Sequence, residues 1–111
     1  MRELSKAEEI YLITIYRLKD NAYGVSVREK ISELTGKMYT YGTLYGILDQ
    51  LVHRGYVSKI EGEPSPERGG RRKLFYRLTP TGLKALKSSY AVQQSLWGGI
   101  DWQKSEETYE A

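Results

Sequence analysis

The 111-residue chain contains no cysteine, a single histidine, a single phenylalanine and three prolines. Without cysteine there are no disulfides and no thiolate metal sites, and an intracellular, cytoplasmic location fits. The lone histidine, His53, cannot build a metal centre that needs two or three further nitrogen or sulfur ligands. It has no evident nucleophile partner. The chain also carries neither a G-x-S-x-G elbow nor a glycine-rich nucleotide loop at a strand–helix junction. The sequence therefore argues against an enzyme, and no cofactor is expected. Long apolar runs are missing too. The longest apolar-rich stretch, Ile10 to Leu18, is interrupted by Thr14 and Arg17 and is too short to span a bilayer. The opening MRELSKAEEIYL places acidic residues before its apolar stretch, unlike a secretory leader.

What remains is a mildly basic chain, net +3 with a pI near 9.1, whose charge is unevenly spread. Between Lys37 and Thr79 the positives are Lys37, Arg54, Lys59, Arg68, Arg71, Arg72, Lys73 and Arg77, against Asp49, Glu61, Glu63 and Glu67, a net +4. From Gly98 to Ala111 a single Lys104 faces Asp101, Glu106, Glu107 and Glu110, a net −3. A basic middle and an acidic end suggest a localised anionic partner. The length suits one small domain with an appended helix. A domain of this size buries only about two-thirds of its unfolded surface, a shortage that a second subunit would relieve.

Periodicity gives the elements. Ser5 and Glu8 form a capping box that starts a helix running to about Lys19. Its apolar residues, among them Ile10, Leu12, Ile13, Ile15 and Tyr16, point nearly all round the axis, so one side needs the core and another a partner. Ser26 and Glu29 suggest a second capping box and a short helix with Val27, Ile31 and Leu34 as its buried stripe and Gly36 as its stop. A third helix is expected from Thr40 to Arg54, with Leu44, Ile47, Leu48 and Leu51 inward. Two strands, near 56–61 and 73–78, flank a Gly- and Pro-rich stretch that reads as a hairpin with a long flexible tip. Thr79-Pro80 opens a last helix to about Trp97. Leu83, Leu86, Tyr90 and Trp97 lie along one side of it at roughly heptad spacing.

This order predicts a mainly α fold with a small β-hairpin. It is a winged helix-turn-helix over 1–79, a C-terminal helix over 80–97 and an acidic, mobile tail over 98–111. The helix beginning near Thr40 would enter the major groove of duplex DNA. Thr40, Tyr41 and Thr43 supply hydroxyls beside a positive helix end, and Gly42 and Gly46 let the backbone come close. Lys37, Tyr39 and Tyr45 are candidate phosphate contacts, Tyr45 equally a packing residue. In the hairpin, Arg68, Arg71, Arg72 and Lys73 around Gly69-Gly70 suit phosphates or a narrow minor groove. Asp49 is the exception on that face, an acid where phosphates approach or an acceptor for a cytosine amine. His53 is expected at the surface near a helix end. The competing reading is a winged-helix protein-interaction module without DNA.

The sequence resembles the PadR family of bacterial transcriptional regulators. The resemblance is carried by Tyr23-Gly24, by Gly42-Thr43-Leu44-Tyr45, and by Leu48, Leu51 and Gly55. Gly69-Gly70-Arg71-Arg72-Lys73 and Tyr76-Arg77-Leu78-Thr79-x-x-Gly82 complete it, over roughly residues 5–90. It implies a homodimeric repressor with a single C-terminal dimerisation helix, 80–97, and with the first helix packing against the partner, so the candidate dimer contacts are Ile10, Ile13, Leu83, Leu86, Tyr90 and Trp97. Where members commonly carry proline after the tyrosine matching Tyr45, this chain has Gly46. Tyr90, Trp97 and Trp102 are expected first as core or interface packing; some members bind flat aromatic molecules between subunits, which makes a small aromatic effector a candidate partner and these residues its alternative lining.

Overall fold

The computed structural model describes residues 3–64 and 72–104. The order is α1 (Lys6–Leu18), α2 (Gly24–Thr35), α3 (Tyr41–His53), β1 (Val57–Pro64), β2 (Arg72–Leu78) and α4 (Pro80–Trp97), with one 3-10 turn at Lys19–Asn21. α1 starts as expected. Ser5 Oγ accepts the Glu8 N–H at 3.1 Å, and Glu8 Oε1 accepts the Ser5 N–H at 2.8 Å.

α2 begins two residues before the expected cap. Ser26 is its third residue, not its cap, and its hydroxyl accepts the Tyr23 N–H at 2.9 Å while donating to the Asn21 carbonyl at 2.6 Å. The early start follows from Gly24, which is buried so closely under the Tyr45 ring that a Cβ there would collide with the phenol. At the far end Gly36 takes the left-handed conformation that stops the helix, at φ 76°. Leu34 was expected in the buried stripe but is exposed, because only Gly24, Val27 and Ile31 of α2 reach the interior.

The core gathers Tyr11, Leu12 and Ile15 from α1, Val27 and Ile31 from α2, Leu44, Leu48 and Leu51 from α3, and Tyr56, Val57, Tyr76 and Ala85 from the wing and α4. Tyr39 joins it, which corrects its reading as a surface phosphate contact. Its side chain is 7% exposed, and its ring stands edge-on to Tyr11 at 5.3 Å. The physical reason is its place in the α2–α3 connection, where it closes the end of the core. Burial and the neighbouring Tyr39 raise the Tyr11 phenol far above its usual pKa.

The hairpin is antiparallel, in register from Val57↔Leu78 to Glu61↔Leu74, with a shift before Pro64↔Arg72. Its strands run past the expected ends toward the tip. The wing is stitched to the α1–α2 corner by the Tyr76 N–H donating to the Ala22 carbonyl at 2.8 Å and by a bridge between Tyr23 and Phe75. Thr79 then caps α4 through the Gly82 N–H at 3.0 Å and ties it to the end of α3 by donating to the Gly55 carbonyl at 2.6 Å. Beyond α4, Trp102 packs 5.1 Å from Trp97, so the stretch expected as a mobile tail opens with a packed pair.

Candidate nucleic-acid interface

α3 divides cleanly. Leu44, Leu48 and Leu51 are buried, while Thr40, Tyr41, Gly42, Thr43, Tyr45 and Gly46 form an exposed face. Thr40 caps the helix, accepting the Thr43 N–H at 3.2 Å and bonding to the Thr43 hydroxyl at 3.1 Å. A Cβ built on Gly42 or Gly46 would meet nothing within 4 Å. The fold therefore gives no packing reason for either glycine, although each weakens a helix relative to alanine. The Tyr41 and Tyr45 rings stack one turn apart, with centroids 6.3 Å apart and planes 22° apart.

The tip-side end of the wing comes to the same side. Tyr23, Gly24 and Val25 at the start of α2, Tyr45 of α3 and Arg72, Lys73 and Leu74 of β2 line one cleft of about 300 Å³. Lys73 Nζ sits 3.7 Å over the Tyr23 ring and 5.8 Å from that of Phe75. Arg72 lies 3.9 Å from the Glu61 carboxylate on the opposite strand. Arg68 and Arg71, with the Gly69-Gly70 pair, lie outside the described residues. Asp49 is answered from the wing: Lys59 Nζ stands 3.5 Å from its carboxylate, which offsets the acid on this face. Lys37 is exposed, its ammonium 4.7 Å from the Tyr39 ring. His53 is exposed in the last turn of α3, and no group of three potential ligands is found among the described residues.

Burial first, then the neighbouring Asp49 carboxylate and Tyr45 phenol, push the Tyr76 phenol up to about 12, so it is neutral and shielded on the inner face of the wing.

A second surface lies across the molecule. Ile13, Tyr16, Leu83, Leu86, Lys87, Tyr90, Glu9 and Gln93 line an open groove of about 500 Å³ between α1 and α4. It brings together four of the expected dimer contacts, Ile13, Leu83, Leu86 and Tyr90. Ile10 is half-buried against the core, and Trp97 lies exposed at the end of α4, so neither lines the groove. The groove contains a feature that sequence reading missed. Glu9 is 7% exposed and accepts hydrogen bonds from Ser89 and Gln93 of α4, with Lys6 at 3.5 Å. Burial raises its pKa, but those donors and the lysine together hold it below the usual value. Next to it, Glu8 Oε2 pairs with Arg54 Nη1 at the end of α3 at 2.9 Å, with both side chains largely buried. Acidic residues in a first turn read as dipole partners, which is why neither role was evident. Arg28 was missed as well. It follows the buried Val27 and reaches across to α3, its Nε donating to the Tyr39 carbonyl at 2.6 Å.

A two-helix unit with a polar, glycine-bearing second helix, beside a basic two-stranded ribbon, is a winged-helix DNA-binding fold. The model of the PadR-like family of transcriptional regulators matches residues 12–88, and the chain belongs to that family. Solved structures agree. A complex of hsRosR, the H. salinarum RosR protein, is 25% identical at a TM-score of 0.71, covering 96% of this chain and 84% of that one. A PadR-like transcription factor from Bacteroides fragilis is 23% identical at 0.71, covering 81% and 82%. A winged-helix DNA-binding protein from STIV shares the fold at 17% identity and 0.67, covering 90% and 100%. No curated protein sequence matches the chain. Members of the family are regulators of transcription rather than enzymes. Among the described residues no helix is long and apolar enough to cross a membrane.

Proposed function

We propose that the chain is a homodimeric, cytoplasmic repressor that reads a pseudo-palindromic operator with two copies of α3. The observation that carries this reading is the bare face of α3. Gly42 and Gly46 cost helix stability, the space outside them is open, and hydroxyls and stacked tyrosines surround them. Such a face suits close approach to a major groove, with Thr40 and Thr43 at the positive end of the helix and Tyr41 and Tyr45 beside it. Lys37, Arg72 and Lys73 would hold flanking phosphates, joined by Arg68 and Arg71 at the tip. Tyr39 contributes by fixing the helix start, not by touching DNA.

The groove between α1 and α4 supports the dimer. Apolar side chains there would be covered by the α4 of a second copy, and Tyr90, 65% exposed, and Trp97, 55% exposed, extend the surface. In that arrangement the two α3 helices meet successive major grooves about 34 Å apart. The exposed Trp97–Trp102 pair favours a flat aromatic effector at the end of α4.

Footprinting on the DNA upstream of the coding region, with light scattering of the free protein, tests the reading. The expected result is protection of two half-sites one helical turn apart by a protein of twice the chain mass. A monomer with no affinity for any duplex would overturn it in favour of a winged-helix module that binds proteins.

A further inference from the structure

We infer that Arg28, on α2, is a DNA-phosphate contact, seated for that purpose on the first tyrosine of α3. The inference rests on the duplex-binding reading above and names a contact that this reading did not contain. Arg28 Nε donates to the Tyr39 carbonyl, one residue before the Thr40 cap, at 2.6 Å. Its guanidinium carbon stands 4.4 Å from the centre of the Tyr41 ring. These two contacts pin the group beside the start of α3. They leave both Nη atoms, which carry four of the five guanidinium N–H donors, without a hydrogen-bond partner among the described residues.

The wider distribution of cations supports this. Arg54, Lys59 and Arg77 each lie against a carboxylate, that of Glu8, Asp49 and Asp20 respectively. Around the starts of α2 and α3 the pattern changes. Arg28, Lys37 and Lys73 are each seated on a tyrosine ring (Tyr41, Tyr39 and Tyr23) with no acid beside them among the described residues. A carboxylate orients a cation but cancels its charge. A ring face orients it and leaves the full charge for another anion. Three uncancelled cations around these two helix starts suit a polyanion.

α2 is the helix that crosses the backbone in this architecture, while α3 enters the groove. A residue on α2 therefore meets phosphate rather than base edges. An arginine fork matches two phosphate oxygens, and the stacked ring fixes its plane in advance. Tyr41 is the positioning residue and Arg28 the contact.

Phosphate contacts are sequence-independent, so a fluorescein-labelled duplex of mixed sequence suffices, titrated by anisotropy over a series of salt concentrations. Arg28→Gln should make the slope of log affinity against log salt shallower by about 0.9 per bound protomer, and weaken low-salt binding by about threefold to tenfold. Arg28→Lys should keep the slope and still lose affinity. Tyr41→Leu should keep the slope and lose about threefold, because the guanidinium stays charged but is no longer held. Thermal unfolding and light scattering establish that each variant is folded and assembled as the parent is. A purely structural role would lower melting temperature without moving the slope. A folded Arg28→Gln protein with the parental slope overturns the inference and leaves the duplex-binding reading standing. A parent that binds no duplex at any salt sinks both. Should Arg28→Gln fail to fold, Tyr41→Leu decides, and unchanged affinity in that variant overturns the inference.

Discussion

Replacing Gly42 and Gly46 together by alanine separates two quantities that usually fall together, stability and binding. Alanine favours a helix interior over glycine by about 1 kcal/mol, with a smaller gain in the first turn. Gly46 is six residues into α3 and Gly42 two, so the pair should yield about 1.5 kcal/mol. No steric charge is set against that gain, because neither new methyl would meet an atom within 4 Å. For a domain of this length the midpoint of thermal unfolding should rise by about 6 °C at fixed protein concentration. On the duplex the sign reverses. Two methyl groups would stand where close packing is needed, and overfilling a packed surface costs about 1–3 kcal/mol, or about fivefold to 150-fold in affinity. Circular dichroism melts and anisotropy against the footprinted operator measure the two effects on one sample. A stabilised variant that binds its operator as tightly as the parent would refute the argument from the open glycine face. A variant that is not stabilised would refute the helix-propensity half of it.

Glu8→Gln keeps the acceptor that caps α1 but leaves Arg54 without its charge partner, and should cost about 3 kcal/mol in urea unfolding, whereas an exposed pair such as Lys30–Glu33 should cost almost nothing. The Tyr76 phenol, raised from 10 to about 12, contributes stability that is complete below pH 10 and lost as pH climbs toward 12, because the unfolded chain ionises first. The loss should reach about 2–3 kcal/mol, and denaturant melts of Tyr76→Phe across that window should show a smaller decline than the parent.

Much of this molecule was legible because its punctuation is local. Ser5–Glu8, Gly36, Thr40 and Thr79-Pro80 each act within a turn of their own position, and each stands where the sequence placed it. The misreadings share the opposite property. Ser26 looks like a cap until Tyr45, nineteen positions later, packs over Gly24 and draws the helix start back. Tyr39 reads as a surface residue of a turn, yet it is buried by Tyr11, on a helix whose inward face is settled only in three dimensions. Arg28 stands among ordinary mixed charges of α2, next to Glu29 and near Lys30, and only the approach of α3 gives it a role. Periodicity reports which way a side chain points from its own element. It carries nothing about which element arrives opposite.

The adjacent acids of α1 show what such an arrival does. Glu8 grips the end of α3 and Glu9 grips α4, yet the two are consecutive on one backbone, about 100° apart around the same axis. A roll of that first turn cannot slacken one grip without straining the other. If α1 and α4 form the joint of the proposed dimer, that joint and the proposed recognition helix would share a single axle, and the spacing of the two half-sites would be geared to the angle at which the protomers mate.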